Sequence, residues 1–184
     1  MRNRLTWIIV ALLLAVATEN LFSQQEAEGS EPLPRGFGEI TLGLSFEEVR
    51  RRLEEDRNFN YRGGPDVSLR PFDLEQSIET EGRGFMDRGS FQFADDLLYI
   101  ITLFIDQERL DYFTLYRTLS QKYGEPESLN PQQAVWENEE IRIALQRPLT
   151  IQYIDRETFG RRVEEGAMEE SLRALNRNNF LEQF

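Results

Sequence analysis

Any chemistry in this chain falls to carboxylates, guanidinium groups, hydroxyls and amides, because its 184 residues include no cysteine and no histidine. That removes disulfides, thiolate nucleophiles, Cys-ligated metal sites, the usual general base and the commonest transition-metal ligand. Lys122 is the one lysine among 21 basic residues, so a Schiff-base mechanism would rest on that side chain alone. With 33 acidic residues, carboxylate pairs are easy to find. Asp95-Asp96 falls between two apolar runs, where aspartate suits a turn, and the Asp-x-Asp-x-Asp-Gly spacing of a calcium loop is absent. Asp66 and Asp73 flank a proline-containing loop and offer a pair for a hard cation or a glycosidase-type reaction. No Gly-Lys-Ser/Thr phosphate loop occurs, and Gly82-Arg83-Gly84 lacks the third glycine of a dinucleotide fingerprint. The residues thus assign no catalytic group, no cofactor and no metal.

Arginine and phenylalanine give a better lead. Arg62, Arg70, Arg83 and Arg88 crowd a glycine-rich stretch that also holds Phe72 and Phe85. Guanidinium forks beside aromatic rings suit the capture of a carboxylate-bearing peptide or glycan. The alternative is a solvated loop that offsets an acidic surface. The net charge of −12 opposes non-specific binding to nucleic acid or anionic lipid.

The chain begins with Arg2 and Arg4, then an apolar run from Leu5 to Ala17. That run is shorter than the roughly 20 residues that span a bilayer and matches a secretory signal peptide over 1–17. Ala15-Val16-Ala17 offers a cleavage site, with Leu21-Phe22-Ser23 as a later one, and an uncleaved N-terminal anchor is the other possibility. Export to the periplasm or beyond is the expectation. Residues 18–36 are acidic, contain Pro and Gly, and lack apolar periodicity, which predicts a flexible linker.

From residue 37 the elements that would position these groups emerge. Ile40, Leu42 and Leu44 alternate in a short extended segment, and Ser45 with Glu48 forms a capping box for a helix over 46–56. Phe46, Val49 and Leu53 stripe that helix, while Arg50 to Arg52 face solvent opposite Glu47, Glu54 and Glu55. Strands are expected at 74–80, 90–93 and 97–106, the last apolar on both faces and therefore central. A second helix over 108–123 carries Tyr112, Tyr116, Leu119 and Tyr123, with Gly124 as its stop. Three strands follow at 133–137, 140–146 and 149–155, then a C-terminal helix over 156–176 and a loose tail over 177–184. The expected domain spans 37–155. Its class is α+β, two layers with helices on an antiparallel sheet, and two successive helix-plus-meander units suggest an internal duplication.

Residues 38–49 (GEITLGLSFEEV), 122–126 (KYGEP), 135–137 with 141–143, and 151–155 (IQYID) resemble the SmpA/BamE-like and β-lactamase-inhibitor-like modules, in which a helical segment precedes an antiparallel meander. The lipidated cysteine of the SmpA/BamE pattern is missing here. YRGGPDVSL (61–69), GSFQFADDLLYI (89–100) and RPLTIQYID (147–155) are similar to an uncharacterised family of secreted spirochaete proteins. Neither resemblance supplies catalytic residues. The reading that best fits the chain as a whole is a non-enzymatic, exported binding or assembly module of the bacterial cell envelope. It would meet a protein partner through the sheet face or the 61–88 region, with Arg62, Arg70, Phe72, Arg83, Phe85 and Arg88 as candidates. A carboxylate-dependent hydrolase and a small-ligand carrier are the other classes to weigh.

Overall fold

The computed structural model describes residues 32–69 and 76–181. The expected signal peptide, most of the linker, Arg70, Phe72, Asp73 and residues 182–184 lie outside the described residues. The first elements are a small ribbon, β1 (Gly36–Phe37) and β2 (Ile40–Thr41), and helix α1 (Phe46–Glu55). A meander follows: β3 (Val67–Leu69), β4 (Gln76–Glu81), β5 (Met86–Ala94) and β6 (Leu97–Ile105). Helix α2 (Tyr112–Tyr123) precedes a second meander, β7 (Ser128–Leu129), β8 (Gln133–Glu137), β9 (Ile141–Gln146) and β10 (Thr150–Asp155), and helix α3 (Arg156–Leu181) ends the fold.

Strands β3 to β10 form one antiparallel sheet in the order β3-β4-β5-β6-β10-β9-β8-β7. The order reads alike from either edge: helix, then four strands, with the last strands of the two units joined at the centre. This is the helix-plus-meander repeat expected from the sequence, with β3 to β6 matching β7 to β10. Each unit has one strand more than its strongest apolar runs suggest, because the edge strands β3 and β7 are too short to show a period. Short edge strands also limit unwanted pairing with other chains.

One core cluster contains Val49 and Leu53 of α1, Leu119 of α2, and Ile78, Phe91, Ile101, Leu103, Ile143, Leu145 and Ile151 of the strands. Both helices therefore pack on the same sheet face. Each fully buried aliphatic side chain of this kind contributes about 1.5–3 kcal/mol. At the start of α1, Glu48 N–H donates to Ser45 Oγ (3.4 Å) and Ser45 N–H donates to Glu48 Oε2 (3.1 Å), completing the capping box. Those Ser45 bonds hold the Glu48 carboxyl below its ordinary pKa. Gly43 N–H donates to Leu98 O (2.8 Å) and Leu98 N–H to Leu44 O (2.9 Å), fixing the approach to α1 against the start of β6.

Three boundaries differ from expectation. The second helix starts at Tyr112 because the Asp111 carboxylate accepts from Thr114 N–H (2.9 Å) and caps it there, while residues 107–109 form a turn. The C-terminal helix runs on to Leu181, where a loose tail was expected from residue 177. Strand β5 begins at Met86, well before Ser90, and Gly89 inside it shows why so few large residues mark its first half. A Cβ on Gly89 would lie 2.6 Å from Phe59 Cε1, so the glycine is what lets the Phe59 and Phe91 rings meet edge to face at 5.5 Å.

The central strand also departs from simple alternation. Gln92 pairs with Ile100 but Phe93 pairs with Leu98, so Tyr99 is an extra residue in the ladder. This bulge turns Leu98 into the helix-side core and leaves Tyr99 and Ile100 with Ala94 and Ile154 in a second, smaller cluster.

Candidate partner-binding surface

The sheet residues of opposite parity to the core are mostly polar. Across β4, β5, β6 and β10 they include Ser77, Glu79, Glu81, Arg88, Ser90, Gln92, Thr102, Phe104, Thr150 and Gln152, as the strand register places them. Gln152 Nε2 donates to Thr102 Oγ1 across the central pair (3.2 Å).

The sequence candidates separate into three groups on this frame. Arg62 serves the fold. Its backbone N–H, Nε and Nη2 all reach the Asp66 carboxylate, at 3.0, 3.0 and 2.9 Å, and the Asp66 side chain is fully buried. Asp66 sits in a short 3-10 turn (Gly64–Asp66), so this pair pins the loop between α1 and β3. The Asp66 carboxylate is therefore engaged and is not presented to a cation or substrate. Arg70 and Phe72 lie outside the described residues, as does Asp73, the expected mate of Asp66.

Arg83, Phe85 and Arg88 come together at the end of the β4–β5 hairpin. Gly82 to Phe85 make the connection, with Gly84 at φ +68 in a conformation that L side chains rarely adopt. The turn is locked by Gly82 N–H to Asp87 O (2.7 Å) and Met86 N–H to Arg83 O (3.1 Å). Phe85 is 63% exposed at its tip. Arg83 Nη2 donates to Asn60 Oδ1 (2.8 Å), which orients the guanidinium without neutralising it. Arg88 stacks over the Phe104 ring, 3.8 Å from its centroid, and its Nη1 lies 3.7 Å from Glu79 Oε2. Stacking holds the guanidinium plane while leaving N–H groups for a ligand carboxylate. Phe104 is the residue that sequence reasoning missed here; only its place opposite Arg88 across β5 and β6 reveals it.

Asp95 and Asp96 form the two-residue β5–β6 turn, with φ values of 51 and 66 that the mirror-image hairpin turn demands. Asp95 Oδ2 meets Arg161 Nη2 of α3 at 3.0 Å. The acidic pair is thus a turn with an ion pair. Among the described residues no three acidic side chains gather as a metal site would require, and no helix is long and apolar enough to cross a membrane.

Fold and surface together define a two-layer α+β module, built twice over from a helix and a four-stranded meander, with an Arg- and Phe-bearing hairpin tip. The TP0088 domain family matches residues 35–165, from the residue before β1 into the first part of α3, and the chain belongs to that family. No curated protein and no solved structure matches the chain.

Proposed function

We propose that this chain is an exported, non-enzymatic binding or assembly module of the bacterial cell envelope, and that the β4–β5 hairpin tip contacts a protein partner. The observation that carries this reading is Phe85, 63% exposed on a turn that backbone hydrogen bonds hold rigid, between Arg83 and the stacked Arg88. A large ring on a pre-shaped turn has little ordering entropy to lose on docking, and arginines beside it select carboxylates on the partner. Export rests on the positive, apolar start of the sequence, and the envelope assignment on the likeness to secreted spirochaete proteins and to SmpA/BamE-like modules.

The test is cross-linked affinity capture from envelope fractions with the tagged chain, set against Arg83→Ser and Phe85→Ser variants of matched thermal stability. A protein captured reproducibly by the parent and lost with both variants supports the proposal. Capture that survives both substitutions, or no protein at all, contradicts it.

A further inference from the structure

Helix α3 is tied to the rest of the fold near its start. Thr158 N–H donates to Asp155 Oδ1 (2.9 Å), and Arg161 Nη2 meets Asp95 Oδ2 of the β5–β6 turn (3.0 Å). From Val163 to Leu181 every described side chain is exposed. Helices in proteins owe most of their stability to packing one face, and no described side chain in this half is even half-buried. With about 3.6 residues per turn, Val163, Gly166, Ala167, Glu170, Arg177 and Leu181 share one side of the helix, opposite Arg161 and the domain it grips. Glu170 and Arg177 stand two turns apart, about 10 Å along the axis, too far to pair within one helix. Neither takes part in an ion pair among the described residues.

We infer that this face pairs antiparallel with the same face of a second copy of the chain, giving a two-fold dimer. The face is complementary to itself in charge and in shape. A two-fold axis beside residues 173 and 174 sets Glu170 of each copy against Arg177 of the other, so one contact forms two ion pairs. The same axis sets Leu181 of each copy against Gly166 of the other. Leu181 is 59% exposed, and a Cβ built on Gly166 meets nothing within 4 Å, so that point of the helix is open to receive it. Arg173, close to the axis, already has an interaction within its own chain. A parallel pairing would instead bring Glu170 onto Glu170 and Arg177 onto Arg177, and like charges repel. The domain does not obstruct the contact, because Arg161 holds it on the other side of the helix. The paired stretch, residues 166–181, is about 24 Å long. That is small for an interface, so the dimer is a reversible one of the micromolar range. This inference does not rest on the protein partner proposed above, because α3 leaves β10 at the end of the sheet away from the hairpin tip.

The experiment is analytical ultracentrifugation of the full chain across the micromolar range, with circular dichroism to match the variants for helix content. A monomer–dimer equilibrium is expected. Glu170→Arg and Arg177→Glu should each weaken it at least tenfold, because the two-fold axis turns both attractive pairs repulsive in either variant. Combining the two reversals should restore the dissociation constant to within about threefold of the parent, which a loss of structure would not do. Gly166→Phe, which has room on its own chain, should block Leu181 of the second copy and weaken association as much. The inference is overturned if the chain stays monomeric throughout, if neither single reversal weakens association, or if the double reversal remains as weak as the single ones.

Discussion

Replacing Arg62 tests whether this residue serves the fold or the partner. In the fold, its backbone N–H and guanidinium make three contacts to Asp66, at 3.0, 3.0 and 2.9 Å, and the Asp66 side chain is fully buried. Arg62→Ala keeps the backbone contact and removes both guanidinium contacts. Breaking one side of a buried charge pair ordinarily costs about 3–5 kcal/mol. The Arg62 side chain is 53% exposed, so solvent screens part of the attraction and a loss below that range, about 2 kcal/mol, is expected. With a urea m-value of about 1–3 kcal/mol/M, the unfolding midpoint should fall by about 1 M. Asp66→Asn removes the buried charge, so adding Arg62→Ala to Asp66→Asn should cost much less than Arg62→Ala does alone. The assay is urea unfolding of the two single variants and the double, followed by Trp136 fluorescence. Additive effects, or an Arg62→Ala loss below about 0.5 kcal/mol, would show that the pair does not pin this loop.

Other outcomes follow from the same structure. Gly89→Ala drives a Cβ to 2.6 Å from the Phe59 ring and should lower stability by about 1–3 kcal/mol in the same unfolding assay. Trp136→Phe keeps most of the buried ring but abandons the 2.8 Å bond from Nε1 to Gly124 O, leaving that α2 cap carbonyl unpaired; a loss of about 1–3 kcal/mol should appear as a lower Tm. Hydrogen bonds from Ser45 hold the Glu48 carboxyl below its ordinary value of 4.5 in the folded chain, so its contribution is complete above that pH and is lost as pH falls through the lowered folded value. Glu48→Gln should therefore flatten the acid limb of a pH–Tm profile below about pH 4.5 and leave its shape at pH 7 unchanged. Burial of Tyr153 raises its phenol pKa above 10, so the neutral form favours folding, and stability should decline as pH rises beyond 10.

Much of the architecture was legible in the sequence because local signals and burial agree there. Ser45 and Glu48 announce the start of α1 and then make the bonds that start requires. The apolar faces of 97–106 mark the strand that lies at the sheet centre, and Gly124 ends α2 at φ +83 as its position suggested. What the sequence concealed depends on pairing between distant residues. Nothing local distinguishes Tyr99 as a bulge, since the extra residue exists only relative to its partners on β5. Arg62 and Arg83 look alike in the sequence, and only the buried Asp66 carboxylate makes one an anchor while the other stays presented. Phe104 reads as one more apolar residue of a central strand until Arg88 is laid across it.

The central claim, that the chain binds a protein through its hairpin tip, is tested most directly by a photo-cross-linking amino acid placed at two equally exposed phenylalanines. Phe85 at the tip is 63% exposed and Phe113 on α2 is 65% exposed, so accessibility alone cannot separate them. Irradiation of intact cells should give one dominant protein adduct from position 85, abolished by Arg83→Ser and Arg88→Ser together, and little from position 113. Equal adducts from both positions, or a dominant adduct from 113, would contradict the hairpin tip as the contact surface.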